Sequence, residues 1–291
     1  MIVWRFLYDI RMVVNMKNIT NSDDFIKELK EWQEPYKKHS TYSREIFRIA
    51  KRNSYTDEEL SETLRLVDEQ GLWDARMHGN TIVGLDVTEE NPKDIIYAEI
   101  YGAVKDKKDF SIALYSLELG KRCLHNKENY SEEKRKKFFG RGIRGFANFL
   151  REDFIPIRMK EMYPEIICEK ATLEEDLKEH CDLKITNTIN GRKIYVWLAQ
   201  WGKEENRKFL LQKFRGDRGE IPDGYHLIIL CYDDYDYRTR NEYGWYLPSD
   251  RCIDETVKLT YDEPIDYNWL CERNEAKALK VLSEPHLYYK G

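Results

Sequence analysis

The chain has 291 residues, of which 35% are charged and 41% hydrophobic, with 7 Trp, 20 Tyr and 11 Phe. This length suggests two domains, and the aromatic content argues against a disordered chain. The formal net charge of −5 argues against a protein that coats nucleic acid without sequence preference, because such proteins are usually basic. It leaves room for a local basic site.

The six cysteines indicate neither a zinc site nor a disulfide framework. No two of them lie within four residues of each other, so the CxxC spacing of a zinc knuckle does not occur. The sequence shows no cleavable signal peptide and no apolar run of the length that a membrane span needs. We therefore expect reduced, mostly buried thiols and a cytoplasmic protein without a membrane partner.

The N-terminal region has the pattern of short amphipathic helices over residues 16–70. Within it, Thr56 to Glu59 form a capping box, in which the threonine covers the N3 amide and the glutamate reaches back. Residues 81–87 and 94–104 are interpreted as the two strands of a β-hairpin packed on these helices. The sequence thus predicts a mostly helical domain with a β-hairpin over residues 1–130 and a second domain over residues 131–291.

A basic segment, residues 131–145, surrounds Phe138 and Phe139. Cations neutralise phosphates and aromatic rings stack on bases, so this composition favours an exposed nucleic-acid contact. The alternative is that the cations form the last turn of a helix that begins after Ser131, where the macrodipole favours them. The candidate contacts are Lys134, Arg135, Lys136, Lys137, Arg141 and Arg144.

The region from Cys181 to Asp233 is the most informative part of the chain. Asn190-Gly191 is a strong hairpin signal and predicts a type I′ turn with both residues at positive φ. The strand–helix–strand unit that follows predicts a right-handed crossover and a parallel pair. The elements predicted here are a strand at 181–187, a strand at 193–201, a helix at 205–215 and a strand at 225–232.

This element order, together with Asp182, resembles the PD-(D/E)XK nuclease superfamily over roughly residues 145–233. Members have a leading helix, a β-meander, a crossover helix and a further strand. In that family an Asp opens the second strand, an acidic residue or Gln ends the third, and a Glu on the leading helix often assists. The resemblance assigns these places to Asp182, Gln200 and Glu152, although Pro156 predicts that the leading helix is irregular.

The lysine that completes the family motif is displaced. It would fall two positions after Gln200, where the chain has Gly202. Lys203 is one residue late and is the candidate catalytic lysine. Lys208, on the following helix, is the alternative.

The resemblance implies an α+β or α/β fold in which a restriction-endonuclease-like mixed sheet is flanked by helices. It also implies a metal-dependent phosphodiesterase, such as a restriction or defence endonuclease. Phosphodiester hydrolysis needs a divalent cation to neutralise developing charge and to activate water. Mg²⁺ or Mn²⁺ would take oxygen ligands, here Asp182 and Gln200. The alternative for these residues is a turn or cap aspartate and a solvated glutamine.

Three functions stay open at this point. The first is the endonuclease, with DNA as the favoured nucleic-acid partner and a homodimer suited to cutting both strands of a duplex. The second is an inactive nuclease-fold protein that binds nucleic acid or a protein partner, which the glycine at the lysine place favours. The third is an unrelated α+β interaction protein, which the acidic charge balance favours.

Overall fold

The computed structural model describes residue 16 and residues 19–33, 39–69, 95–172, 181–200, 225–230 and 247–261. Helices and strands occur together in these ranges, so the chain is α+β. The helices are α1 (Ser22–Gln33), α2 (His39–Arg52), α3 (Asp57–Glu69), α4 (Ile95–Lys105), α5 (Ile112–His125), α6 (Glu132–Met162) and α7 (Asp250–Lys258). The strands are β1 (Ile166–Lys170), β2 (Leu183–Asn187), β3 (Lys193–Gln200) and β4 (Tyr225–Leu230).

The chain divides into two compact units. Among the described residues, a helical unit holds α1 to α3 and Glu99–Ile143, and a sheet unit holds the start of α4 and everything from Arg144 onward. The main division therefore falls inside α6. The domain boundary near residue 130 that the sequence favours stays a prediction.

Local capping signals fix where the first helices begin. The side chain of Asn21 accepts a hydrogen bond from the Asp24 amide at 2.8 Å, as an N-cap residue does. At α3, the Glu59 amide donates to the Thr56 hydroxyl at 3.1 Å, and the Thr56 amide donates to the Glu59 carboxylate at 2.8 Å. Both halves of the predicted capping box are present, and the helical interpretation of residues 16–70 is confirmed for the described residues.

Residues 95–104 are not a strand, which corrects the interpretation of 94–104 for its described part. Ile95–Lys105 form α4 instead. Almost every residue in this stretch is apolar, so its pattern alone does not separate a strand from a buried helix. The predicted β-hairpin is therefore wrong in its second strand, and its first strand, residues 81–87, lies outside the described residues. The buried positions follow one helical face: Tyr97, Ile100, Tyr101 and Val104.

Two helices of the helical unit approach each other closely at Gly120. A Cβ atom built on this residue of α5 would lie 2.0 Å from the hydroxyl oxygen of Thr63 on α3 and 2.8 Å from its Cβ. Thr63 is itself held by a hydrogen bond from its hydroxyl to the Glu59 carbonyl at 2.8 Å. Glycine is needed here because no larger residue fits without moving one of the helices.

The four strands form one mixed sheet in the order β1-β2-β3-β4. The first three are antiparallel neighbours, with Ile166 opposite Asn187 and Leu183 opposite Val196. β4 adds to β3 in parallel, with Tyr195 opposite Tyr225. The predicted strands and the parallel pair are confirmed, while the predicted connecting helix at residues 205–215 lies outside the described residues.

The turn between β2 and β3 differs from the predicted type I′ turn. Asn187 donates to the Arg192 carbonyl and its own carbonyl accepts from the Gly191 amide, both at 2.9 Å, so the loop has four residues. Gly191 has φ +74°, but Asn190 does not have a positive φ. The side-chain amide of Asn190 instead donates to the Thr260 carbonyl at 2.8 Å, which links the turn to the residues that follow α7.

One face of the sheet packs against α6 and α7. The sequence of β2 alternates as a half-buried strand should, because Leu183, Ile185 and Asn187 are buried while Lys184 and Thr186 are not. Leu183 and Ile185 belong to one apolar core that holds the helices against the sheet. Its members include Ile155, Met159, Leu183, Ile185, Ile194, Val196, Ile253 and Val257.

Helix α6 runs through Pro156 without a break, and the irregularity expected there is the hydrogen bond that the proline cannot donate. A proline cannot donate the hydrogen bond that the carbonyl of Glu152 would accept, so one helical bond is missing. Burial of Ile155 and Met159 on either side compensates by holding the helix against the sheet. None of the helices in the described ranges is long and apolar enough to cross a membrane.

Candidate functional site

Asp182 lies directly before β2, at the end of the β2–β3 pair that is away from its turn. Its carbonyl accepts from the Ala171 amide at 2.9 Å, and its own amide donates to the Val196 carbonyl at 2.8 Å. Leu183 is the register partner of Lys170 on one side and of Val196 on the other. The backbone of Asp182 is therefore held by both neighbouring strands.

The carboxylate of Asp182 extends the ladder between β2 and β3. Its Oδ2 accepts the amide of Leu198 at 2.5 Å, in the position where a backbone carbonyl would accept in a continued strand pair. Asp182 therefore has the structural role that the sequence offered as its alternative, that of a cap residue at the start of a strand. An ionised carboxylate has about four lone-pair positions, so this amide does not by itself saturate it. The contact also fixes the orientation of the group.

Gln200 is the last residue of β3 and pairs with Leu230 of β4. Because β2 and β3 are antiparallel neighbours, Asp182 before β2 and Gln200 at the end of β3 lie toward the same end of this strand pair. Register puts Trp197 opposite Asp182, so Gln200 is three residues further on, or about 10 Å along the strand. The side chain of Gln200, and the whole of Lys203 and Lys208, lie outside the described part of the chain. Convergence of these groups stays a prediction.

Glu152 on α6 contacts Lys170 at the end of β1. The Lys170 ammonium lies 3.1 Å from Oε2 of Glu152 and 3.0 Å from Oδ1 of Asp153. The three side chains are 29%, 20% and 7% exposed for Lys170, Glu152 and Asp153. Burial alone would lower the pKa of Lys170, but the two adjacent carboxylates outweigh it and hold that pKa above its ordinary value.

The Lys170 cluster, which we define as Glu152, Asp153 and Lys170, lies at the same end of the sheet as Asp182. Lys170 is the register partner of Leu183, one position from Asp182. Of these three residues, only Glu152 is predicted as a site residue from the sequence. A signal for Lys170 was present, because it follows Ile166 and Cys168 at two-residue spacing and so continues the inward face of β1. An inward-facing ammonium needs a carboxylate partner.

The aromatic part of the basic segment does not have the expected exposure. Phe138 and Phe139 are 1% and 0% exposed, so neither ring is available to stack on a base. The segment also does not end a helix, because α6 begins at Glu132 and continues for 31 residues. The interpretation as a last helical turn is wrong for this reason. The two rings instead fill the core of the helical unit.

The cations of this segment contact carboxylates of the same unit. Arg135 bonds Glu62 at 2.5 Å and its side chain is 17% exposed, so its expected exposure is wrong as well. Lys136 and Lys137 are partly exposed, and Lys134 lies over the Tyr130 ring. Arg141 is half-buried, and the side chain of Arg144 lies outside the described residues. A nucleic-acid contact by these residues stays a prediction.

A metal ion would find one oriented oxygen ligand in the described part of the site. No group of three His, Cys, Asp or Glu side chains in the described ranges could hold an ion. Glu152 and Asp153 are engaged with Lys170, and the carboxylate of Asp182 accepts the Leu198 amide. Asp182 could supply one carboxylate to Mg²⁺, which keeps several waters and takes one or two carboxylates.

Comparison of the chain with protein-family models, with curated proteins and with solved structures finds no match. The candidate site therefore rests on the geometry of these residues alone.

Proposed function

We propose that the protein is a metal-dependent nucleic-acid phosphodiesterase, an endonuclease of the restriction or defence type with a restriction-endonuclease-like core. The observation that carries this proposal is the placing of Asp182 at the end of the β2–β3 pair that is away from its turn, in a meander that follows α6 and precedes a parallel β4. This is the element order of the superfamily that the sequence resembles. Because a fold alone does not define a function, the proposal depends on the carboxylates at this end of the sheet.

Each residue has a defined task in the proposed site. A bound Mg²⁺ or Mn²⁺ would neutralise charge on the phosphate and lower the pKa of an attacking water. Asp182, oriented by the Leu198 amide, is the first ligand, and Gln200 is the second. Glu152 assists from α6, where Lys170 fixes its side chain. Lys203 supplies the cation that the family pattern places at position 202. DNA is the proposed substrate, and a homodimer would cut both strands of a duplex.

An inactive nuclease-fold protein that binds nucleic acid or a protein is the second candidate. Two observations favour it. Lys170 neutralises charge on both α6 carboxylates, and the carboxylate of Asp182 already has a structural task in the β2–β3 ladder. Gly202 stands where the family has its lysine. This candidate predicts binding of a partner with no cleavage under any metal condition.

Two substitutions of Asp182 separate its structural task from its chemical one. Asp182→Asn keeps an oxygen that can accept the Leu198 amide but removes the charge that a divalent cation needs. Asp182→Ala removes both. The assay incubates purified protein with plasmid and with single-stranded substrates, with Mg²⁺, with Mn²⁺ and with a chelator. We expect cleavage by the wild type only with metal, and none by either variant, with Asp182→Asn as stable as the wild type.

Cleavage that survives Asp182→Asn at the wild-type rate would contradict the proposed role of the carboxylate. Absence of cleavage by the wild type with any divalent ion would favour the inactive binder.

The displaced lysine is tested in the same assay. Lys203→Ala abolishes turnover if Lys203 replaces the absent residue at position 202. If Lys208→Ala does so and Lys203→Ala does not, the ammonium comes from the residue further along the chain. Loss of activity in neither variant would remove lysine from the proposed site.

A further inference from the structure

Helix α2 presents an aromatic ring to solvent. Phe47 is 50% exposed and is the aromatic member of the three large exposed hydrophobic side chains in the described residues, the others being Ile167 and Ile189. Arg44, Phe47 and Lys51 share one helical face because they are spaced by three and four residues. Lys51 and Arg44 lie about 10 Å apart along the helix axis. The Lys51 ammonium lies over one face of the Phe47 ring, 5.6 Å from its centroid.

Arginine and lysine outnumber carboxylates on α2, in a chain whose net charge is −5. Glu45 is the single carboxylate on α2, and Arg44 makes no ion pair with another described residue. The other three cations of α2 are ion-paired: Arg48 with Glu45, Lys51 with Asp57 at 2.7 Å, and Arg52 with Asp109 at 3.2 Å. Lys51 and Asp57 are 51% and 87% exposed, and such an exposed pair contributes little to stability, so a phosphate can compete for Lys51. Glu45 and Asp109 are 22% and 11% exposed, and Arg48 bonds both oxygens of Glu45, so Arg48 and Arg52 are held more firmly.

Phe47 is not part of the face that packs α2 on its neighbours, and the contact recorded for its ring is the Lys51 ammonium. The opposite face of α2 is the one that anchors the helix, since Tyr42, Ile46 and Ile49 are at most 1% exposed. A membrane surface is also a poor fit, because an interfacial helix buries a broad apolar face and α2 offers lipid a single ring. A ring between cations instead suits a ligand that has both phosphates and accessible base faces.

We propose that the α2 face, defined as Arg44, Phe47 and Lys51 with the adjoining Arg48 and Arg52, binds single-stranded nucleic acid. Phe47 stacks on one base, and the cations contact the phosphates on either side of it. A duplex is excluded from this mode because its base faces are already stacked. The ring distinguishes the α2 face from the basic segment of α6, whose two phenylalanines are buried.

The test measures binding of labelled oligothymidylate and oligouridylate by fluorescence anisotropy in a chelator, so that no cleavage occurs. Phe47→Ala is expected to weaken binding roughly 5- to 150-fold, the effect of losing one stacked base. Phe47→Trp keeps the stacking surface and is expected to bind like the wild type. The matched control is Ile189→Ala, which removes a hydrophobic side chain of the sheet unit that is 72% exposed, more than Phe47, and should leave binding unchanged.

Charge is tested by Arg44→Glu, with Lys127→Glu as the control because Lys127 is exposed and makes no ion pair with another described residue. Arg44→Glu should weaken binding and reduce the slope of log affinity against log salt by about 0.7, the value for one lost single-strand phosphate contact. Lys127→Glu should change neither quantity by as much.

Wild-type affinity in Phe47→Ala, or equal binding of duplex and single strand, would overturn the proposal. So would Phe47→Ala and Arg44→Glu variants that lose binding to anionic vesicles or to an acidic peptide but keep oligonucleotide binding. A difference between oligothymidylate and oligouridylate identifies DNA or RNA as the ligand. Because binding is measured without metal, failure here and failure of the proposed phosphodiesterase activity are separate outcomes.

Discussion

Removal of the Lys170 ammonium should lower the stability of the protein, because Glu152 and Asp153 lose the cation that they share. Lys170→Met keeps most of the side-chain length but leaves Glu152 and Asp153 without their shared cation. Breaking a buried ion pair by removing one partner typically costs about 3–5 kcal/mol. Asp153 is 7% exposed but Glu152 is 20% exposed, so water recovers part of this cost and we expect about 3 kcal/mol. The free energy of unfolding, measured by urea denaturation at neutral pH, reports this loss.

The control for Lys170→Met is Lys160→Met, an exposed lysine of the same helix as Glu152, for which we expect a change within about 0.5 kcal/mol. The triple variant Lys170→Met, Glu152→Gln, Asp153→Asn should recover most of the stability, because all three side chains of the cluster are then neutral. A single-variant cost no larger than that of Lys160→Met would refute the reasoning.

The raised pKa of Lys170 also fixes the pH dependence of its contribution. A group whose pKa is higher in the folded state stabilises fully below its unfolded pKa, about 10.4 for lysine, and loses that contribution as the pH rises above it. The difference in unfolding free energy between the wild type and Lys170→Met should therefore be complete at pH 8 and should shrink in strongly alkaline solution.

Two further predictions concern the helical unit. Gly120→Ala should destabilise the protein by roughly 1–3 kcal/mol because its Cβ would overlap Thr63, whereas Gly102→Ala, with nothing within 4 Å, should stabilise it by about 0.4–1 kcal/mol in the same denaturation experiment. Equal effects at the two glycines would contradict the close approach of α3 and α5. Burial raises the pKa of the Cys123 thiol to about 12, so its peptide should stay unlabelled by a thiol reagent at pH 8 until the protein unfolds. The same shift lowers stability as the pH rises from about 8.5 towards 12. Labelling of the native thiol at the rate of a free cysteine would contradict its burial.

Local signals in the sequence predicted the structure best. The capping box at Thr56 involves residues three apart, and both of its hydrogen bonds are present. The strands of the β2–β3 hairpin were predicted from alternation and from Asn190-Gly191. The type of turn was not, because the Asn190 side chain bonds Thr260, 70 residues away, and no local pattern reports that contact.

The errors arise where the pattern is uniform or the partner is distant. Residues 95–105 are so apolar that a strand and a helix satisfy the same pattern. The aromatic residues of the basic segment were assigned to a ligand because composition does not show which face of a helix is buried. Lys170 was missed for the same kind of reason, since its carboxylate partners lie on a different element, 17 residues away for Asp153.

The most direct measurement for the proposed function is a calorimetric titration of Mn²⁺ into the wild type and into Asp182→Asn. If the Asp182 carboxylate is the principal ligand, the wild type should show saturable binding that the variant loses, while both proteins unfold at the same temperature because the amide oxygen still accepts from Leu198. Equal Mn²⁺ binding by the two proteins, or no binding by the wild type in the presence of a nucleic-acid substrate, would contradict a metal-dependent phosphodiesterase centred on Asp182.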